Sequence, residues 1–268
     1  MTPAPALRDD QLRFVEAELP PARVAGRRVL EIGCGRGLVA RLLTSRAERP
    51  ALLAAIDPNA ADEDTGGVAF RRAEAAALPF ADASFDLAYS IVTFEHVHDL
   101  AAALAEIARV LRPGARFVTV VNPVWTGFRG HHWGPDLCGK PHRRAIELPW
   151  AHRLLETDAL EDYLAEAEGF SGEEAAAARA FIQNSDEINR LGLPAYEAAF
   201  AGSPLRLARM GRGIAVMDGA DGLRGRFARC AARAPRLLAA GALERFLAAH
   251  ADESPEVYKF TAEMERSP

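Results

Sequence analysis

Val29-Leu30-Glu31-Ile32-Gly33-Cys34-Gly35-Arg36-Gly37 is a short apolar run that ends in three alternating glycines. Such a run reads as a buried strand turning into a helix, because glycine supplies positive φ and lets the backbone approach a ligand closely. The Gly-x-Gly-x-Gly spacing lacks the two-residue gap before the last glycine of the dinucleotide fingerprint. Glu31 also sits inside the strand end, where its carboxylate repels a pyrophosphate. The turn therefore suits a zwitterionic ligand carrying an amino group. About 20 residues further on, Asp57 closes the next apolar run, where a carboxylate can accept hydrogen bonds from both hydroxyls of a ribose. A helix cap before Pro58-Asn59 is the structural alternative.

Outward from that turn, two periodicities alternate. Leu38 to Ala47 carries apolar residues at helical spacing and is stopped by Pro50. Strand-like runs follow at 51–56, 68–71, 85–92 and 116–121, with a helix over Leu100–Leu111 closed by Pro113-Gly114. Strand–helix–strand repetition predicts an α/β fold, a parallel sheet with helices on both faces and ligands at the carboxyl ends of its strands. From Val124 the texture changes. Residues 124–152 are rich in Trp, His, Gly and Pro, and 157–201 are acidic and alanine-rich, with helical patterns at Asp158–Glu168 and Glu173–Ala180. After Ser203-Pro204, Leu205–Met210 reads as a strand, Leu223–Ala249 as helical and Glu256–Met264 as a final strand. The expected division is a cofactor-binding core over 1–123, a substrate lid over 124–203 and a return to the core sheet over 204–268. The N-terminal Leu7–Leu19 segment reads as a further helix.

The 268 residues are 49% hydrophobic and 26% charged, which argues against disordered, collagen-like and disulfide-scaffold classes. A net charge of −5 without a long basic run argues against duplex nucleic acid as the partner. Three cysteines, Cys34, Cys138 and Cys230, are odd in number and far apart, so a reducing, cytoplasmic setting is expected. No stretch approaches the roughly 18 apolar residues of a membrane span.

Further stretches follow the glycine turn in order. They are Ala55-Ile56-Asp57-Pro58, Ala73-Glu74-Ala75-Ala76-Ala77-Leu78-Pro79-Phe80, Ser84-Phe85-Asp86, Thr93-Phe94-Glu95-His96-Val97-His98-Asp99, and Glu106-Ile107-Ala108-Arg109-Val110-Leu111-Arg112-Pro113-Gly114. Together, from about Arg27 to Val121, they resemble the class I S-adenosylmethionine-dependent methyltransferases, closest to the ubiquinone/menaquinone-biosynthesis type. The resemblance implies a Rossmann-like, doubly wound sheet of seven strands, with a helical lid inserted after strand five, and S-adenosyl-L-methionine as cofactor. It further implies that Glu31, Gly33, Cys34 and Gly35 hold the methionine part, that Asp57 binds the ribose and that Pro58 lies beside the adenine. Glu74, where the family has Asp, accepts from the adenine amino group, and the Ala75 N–H reaches a ring nitrogen. Ser90 and Ile91 line the methionine side near the reactive methyl. Ala73 stands where the family has glycine.

Methyl transfer to a protonated atom needs a base, and histidine is suited to it because its ordinary pKa lies near neutrality. His131 and His132, in the aromatic segment Trp125-Thr126-Gly127-Phe128-Arg129-Gly130-His131-His132-Trp133, are the candidates for base or substrate contact. A lid core that packs the tryptophans, with histidines bonded to backbone, is the alternative. Glu95, Trp125, Arg129, Trp150 and His152 are the candidate substrate residues. Arg129, Arg143, Arg144 and Arg153 are candidates for a substrate anion, whereas the arginines at 224, 226, 229, 233 and 236 read as the outer face of a helix on the sheet. His98-Asp99 reads as a helix cap. His131, His132, Asp136, Cys138 and His142 match no standard metal spacing, and no metal is assigned. The expected function is in-line methylation of a small biosynthetic or secondary-metabolite acceptor, oxygen favoured, by a monomer or homodimer with no nucleic-acid partner and no membrane span. A non-catalytic cofactor-binding relative and a nucleotide-dependent oxidoreductase are the competing readings.

Overall fold

Eight strands form one sheet in the computed structural model, which describes residues 7–135, 143–219 and 222–267. The strands are β1 (Arg28–Ile32), β2 (Leu52–Asp57), β3 (Glu63–Thr65), β4 (Val68–Arg72), β5 (Phe85–Ile91), β6 (Leu111–Val121), β7 (Leu205–Ile214) and β8 (Val257–Arg266), in the spatial order β3-β4-β2-β1-β5-β6-β8-β7. From β4 through β2, β1 and β5 to β6 every pairing is parallel, as the alternating pattern requires. The strand beyond the expected seven is β3, which pairs antiparallel with β4 across Gly66-Gly67, both at positive φ. Its three residues, Glu63-Asp64-Thr65, have no apolar alternation to announce them, and the two-glycine turn alone makes the hairpin.

The helices are α1 (Asp9–Glu18), α2 (Pro21–Val24), α3 (Leu38–Ser45), α4 (Leu100–Val110), α5 (Ala151–Leu154), α6 (Thr157–Glu168), α7 (Gly172–Asn184), α8 (Leu193–Ala201), α9 (Leu223–Arg233) and α10 (Ala242–Ala249). Asp99 caps α4, its carboxylate accepting from Ala102 N at 2.9 Å. The helical stretch expected over 223–249 breaks in two: α9 stops before Ala234-Pro235, and Gly241, at φ +74°, starts α10. β6 begins earlier than Arg116, because Leu111 already pairs with Phe85. Arg112 to Ala115 then bulges out before Arg116 pairs with Leu87, so Pro113 is tolerated.

The chain clusters into two compact units. The first comprises 1–121, 196–211 and 261–268, and the second 122–195 and 212–260. The division differs from a single insertion at 124–203. The second unit also takes 212–260, and α8 from Tyr196 onward falls in the first. The reason lies in side chains: Leu223, Phe227, Cys230, Leu243 and Phe246 from α9 and α10 pack with Trp150, Leu160, Tyr163 and Leu164 in one core. In the first unit, Phe14, Val15 and Leu19 of α1 join Val29, Val39, Leu43, Leu53 and Tyr89. Among the described residues no helix is long and apolar enough to cross a membrane.

Candidate functional site

The parallel register sets Ile32 beside both Ile56 and Ser90, so β1, β2 and β5 bring their carboxyl ends into line. Gly33 N and Cys34 N both donate to Ile56 O, at 2.8 and 2.9 Å, which ties the glycine turn to β2. Gly33 has φ +74°, and a Cβ on it would lie 2.2 Å from Thr93 Cγ2. No other residue meets both demands. Gly35 N then donates to Asp57 Oδ2 and Asn59 N to Asp57 Oδ1, each at 2.9 Å. Asp57 is half-buried, and each of its oxygens keeps a second lone pair for a hydroxyl donor. The space around Gly35 is open on the side where a Cβ would stand.

Glu31 is only 3% exposed, and its Oε2 has no hydrogen-bond partner. Burial pushes its carboxyl up to about 8. The nearby Tyr89 hydroxyl and Ala40 backbone oppose that rise, and the Asp57 charge adds to it. A buried acid with an orphaned oxygen fits the ammonium of an amino-acid ligand, which would supply both charge and donors. Burial, with Glu31 and Asp57 beside it, pushes the Cys34 thiol up to about 12, so Cys34 offers backbone and bulk rather than a thiolate.

At the end of β4, Glu74 is exposed and Ala75 buried. The loop they belong to is clamped from α4: Leu78 N donates to Glu106 Oε2 at 2.8 Å, and Arg109 donates to Phe80 O at 2.7 Å and Leu78 O at 3.0 Å. These two α4 side chains position the loop. The sequence carried them as part of a motif without revealing what they hold. Ser90 Oγ lies 2.7 Å from Thr119 Oγ1, so its hydroxyl is engaged by β6 and only its backbone is offered at the strand end. Ile91 is buried, and Pro58 is exposed beside Asp57. Glu95 is 1% exposed in the 3-10 turn Phe94–His96, whose Phe94 O accepts from the Tyr196 hydroxyl at 3.2 Å.

In the second unit, His131 and His152 stand with ring centres 5.6 Å apart. His131 Nδ1 accepts from Trp133 N at 3.0 Å, which leaves its proton on Nε2, a buried donor with no partner. His152 Nε2 donates to Trp125 O at 2.8 Å, which leaves a lone pair on Nδ1, also buried without a partner. Burial holds both rings neutral, His131 well below the usual histidine range and His152 down at about 3. His131 is thus arranged as a hydrogen-bond donor rather than a base, which leaves substrate contact as its part of the expected pair. His132 is arranged the other way: Nδ1 donates to Gly130 O at 2.6 Å, so Nε2 is the nitrogen able to take a proton. His132 also holds a left-handed φ of +53°, a conformation that costs energy outside glycine.

Trp125 packs edge-on to His152, 4.5 Å between centres. Trp150 departs from the expected substrate role. It is wholly buried, and its indole N–H is shared by Thr126 O and Pro255 O at 3.2 Å each, so it is the core of the second unit. The expected anion-binding arginines are mostly engaged elsewhere. Arg143 lies over Trp133 and Phe181, Arg144 caps α6 through Glu168 O and Gly169 O, and Arg153 pairs with Glu253 at 2.6 Å. Arg129 lines a cleft with Pro135, Ile146 and Glu147. Asp136, Cys138 and His142 lie outside the described residues.

The sheet order, the glycine turn and the acids at the ends of β1 and β2 are those of a class I methyltransferase-type α/β domain. This chain matches, over residues 30–119, the family model described as "Methyltransferase domain". It is 37% identical over 119 residues to the O-methyltransferase cnsE of Penicillium expansum, covering 41% of this chain and 42% of that protein. It is 39% identical over 150 residues to a probable S-adenosylmethionine-dependent methyltransferase of Mycolicibacterium smegmatis, covering 52% and 54%. The chain thus spans about half the length of these curated relatives. An S-adenosylmethionine-dependent methyltransferase from Mesorhizobium loti shares the fold over 96% of this chain and 97% of its own, with a TM-score of 0.53 at 17% identity.

Proposed function

We propose that this chain transfers a methyl group to a hydroxyl of a small molecule, with S-adenosyl-L-methionine as donor. The observation that carries the reading is Glu31, a buried carboxyl with an orphaned oxygen near the end of β1. Bound S-adenosylmethionine supplies an electrophilic methyl on a sulfonium. Glu31 takes the α-ammonium, the backbone of Gly33, Cys34 and Gly35 borders the methionine part, and Asp57 takes the ribose hydroxyls. Pro58, Glu74 and Ala75 serve the adenine, and the backbone of Ser90 with Ile91 serves the methyl end. Small-molecule O-methylation is supported by the curated relatives named as O-methyltransferases, at identities of 37% and similar.

On the acceptor side we assign His132 Nε2 as the atom that takes the hydroxyl proton, and His131 Nε2–H as a donor to the acceptor. Glu95, Trp125, Arg129 and His152 are proposed to line or orient it. As the acceptor oxygen gained the methyl, the methyl–sulfur bond would break to leave a neutral thioether and the hydroxyl proton would pass to His132, so the positive charge of the sulfonium would end on the imidazolium.

Calorimetric titration with S-adenosylhomocysteine tests the cofactor half. Micromolar binding to the wild type, weakened about 100-fold or more in Asp57→Ala, is the expected outcome, since the variant loses charge-assisted bonds to ligand and to Gly35 and Asn59 alike. Absence of binding by the wild type would sink the reading. Release of S-adenosylhomocysteine over a panel of phenols and alcohols, with thiols and amines as comparators, tests the acceptor atom.

A further inference from the structure

The parallel pairing of β1 with β5 sets Tyr89 directly beside Glu31. Residues paired in this way send their side chains to the same face of the sheet. On that face Tyr89 belongs to the buried core that contains Val29, Val39, Leu43 and Leu87, and it is wholly buried. Its hydroxyl has no hydrogen-bond partner, and neither has Glu31 Oε2. A hydroxyl buried without a partner costs stability that phenylalanine in the same space would not. Tyr89 therefore carries a polar atom that packing does not account for, next to an acid with the same deficit.

The two groups complement each other in both charge states of the acid. A protonated carboxyl can donate to the phenol oxygen, whereas an ionised one can only accept from the phenol O–H. The second bond is charge-assisted and stronger, so Tyr89 favours the ionised acid. The surroundings decide which group titrates. Burial, with Glu31 and Cys34 beside it, pushes the Tyr89 hydroxyl well above the usual tyrosine range, against the pull of Arg46. Arg46, just past α3, is itself held on Leu19 O at 2.9 Å. Burial pushes Glu31 up to about 8; Tyr89 and the Ala40 backbone of α3 oppose the rise, and Asp57 adds to it. Cys34, pushed up to about 12 in spite of Arg41, stays a neutral thiol.

We propose that Tyr89 is a positioning residue for the amino-acid end of the cofactor, its hydroxyl donating to the Glu31 carboxylate that receives the ligand's ammonium. The inference rests on the assignment of Glu31 to that ammonium. On binding, the Glu31 proton leaves to solvent and the Tyr89 proton stays on its oxygen. The carboxylate then accepts from hydroxyl and ammonium together, which its lone pairs allow.

Tyr89→Phe tests this, with S-adenosylhomocysteine titrated calorimetrically into the full chain between about pH 6.5 and 9. Without the hydroxyl Glu31 holds its proton more tightly, so releasing it opposes binding more strongly. Affinity should be several-fold weaker than wild type at pH 7, up to about tenfold, and the gap should close toward pH 9. In the Glu31→Gln background, Tyr89→Phe should make no pH-dependent difference. Carbon-13 NMR of the ligand-free chain, with the Glu31 carboxyl assigned through Glu31→Gln, should show its titration moved upward in Tyr89→Phe. Equal weakening at every pH marks a merely structural role and overturns the proposal, as does an unmoved carboxyl titration in a wild type that binds the ligand. Failure of the wild type to bind overturns the cofactor assignment, and the proposal with it.

Discussion

In the first unit Glu31 is a buried acid, which folding leaves with an oxygen unsatisfied near the end of a parallel strand. In the second unit the buried groups are imidazoles, His131 and His152, each fixed by one backbone bond and each with its other nitrogen unsatisfied. Burial acts on both in the same sense, against charge, and therefore moves their pKa values in opposite directions: Glu31 up to about 8, His152 down to about 3. The first unit thus offers the seat that we propose for a cation. The second presents neutral donors and acceptors. One chain thus prepares two different chemical environments, and each can be disturbed without the other.

The largest effect should come from the acceptor side. His132→Gln removes the nitrogen that accepts a proton, and turnover of an acceptor found by the release screen should fall about 100-fold or more, as for loss of a general base. S-adenosylhomocysteine affinity should stay at the wild-type value. His131→Gln keeps a donor and should cost much less. If the two variants fall equally, the division of roles between donor and base is wrong.

Gly33→Ala should be next, and it strikes the first unit alone. The added methyl meets Thr93 Cγ2 at 2.2 Å on a backbone at φ +74°. A loss of about 2–4 kcal/mol is expected from strain and overpacking together. A urea melt that reports both units would show whether the second unit keeps its own transition.

Much of the first unit was legible in the sequence because its physics is local. The strand-and-turn pattern of Val29 to Gly37 specifies a buried strand, a left-handed turn and a helix start within nine consecutive residues. Asp57 is likewise announced by the end of an apolar run. The second unit resisted reading because its organisation joins residues far apart in the chain. Trp150 reads equally as a substrate residue or as lid core until Thr126 O and Pro255 O are seen to accept from it. Arg229 and Arg233 of α9 are exposed, as a solvated face requires, and the pairing of Arg233 with Glu147 at 2.6 Å joins residues far apart in the chain. The tautomers of His131 and His132 are set by Trp133 N and Gly130 O, at local contacts that composition does not encode.

Glu31→Gln sharpens the acid side of the comparison. An ammonium ligand stabilises the ionised carboxyl, so binding below about pH 8 must release the proton that burial keeps on Glu31. S-adenosylhomocysteine affinity should rise by up to about tenfold per pH unit toward pH 8 in the wild type. In Glu31→Gln it should be roughly tenfold weaker at pH 8 and nearly flat with pH. Calorimetry in buffers of different ionisation enthalpy measures the released proton directly. A wild-type profile without slope would mean that Glu31 is already ionised or does not face the ligand.

The smallest effect tests the imidazole side. His131 and His152 remain neutral in the folded chain, whereas the unfolded chain protonates them below their ordinary value of 6.5. The unfolded state therefore binds more protons below pH 6.5, and stability must fall as pH falls through the window from 6.5 to about 3. Each such proton contributes up to about 1.4 kcal/mol per pH unit. Glu31 tilts stability the other way as pH rises from 4.5 to about 8, but its contribution cancels when a variant of the second unit is compared with the wild type. His152→Gln loses the bond to Trp125 O and is expected to be less stable at pH 7, yet its stability should decline more gently between pH 6.5 and 4. A parallel decline in both proteins would mean that water or a ligand reaches the His152 ring and lets it charge in place.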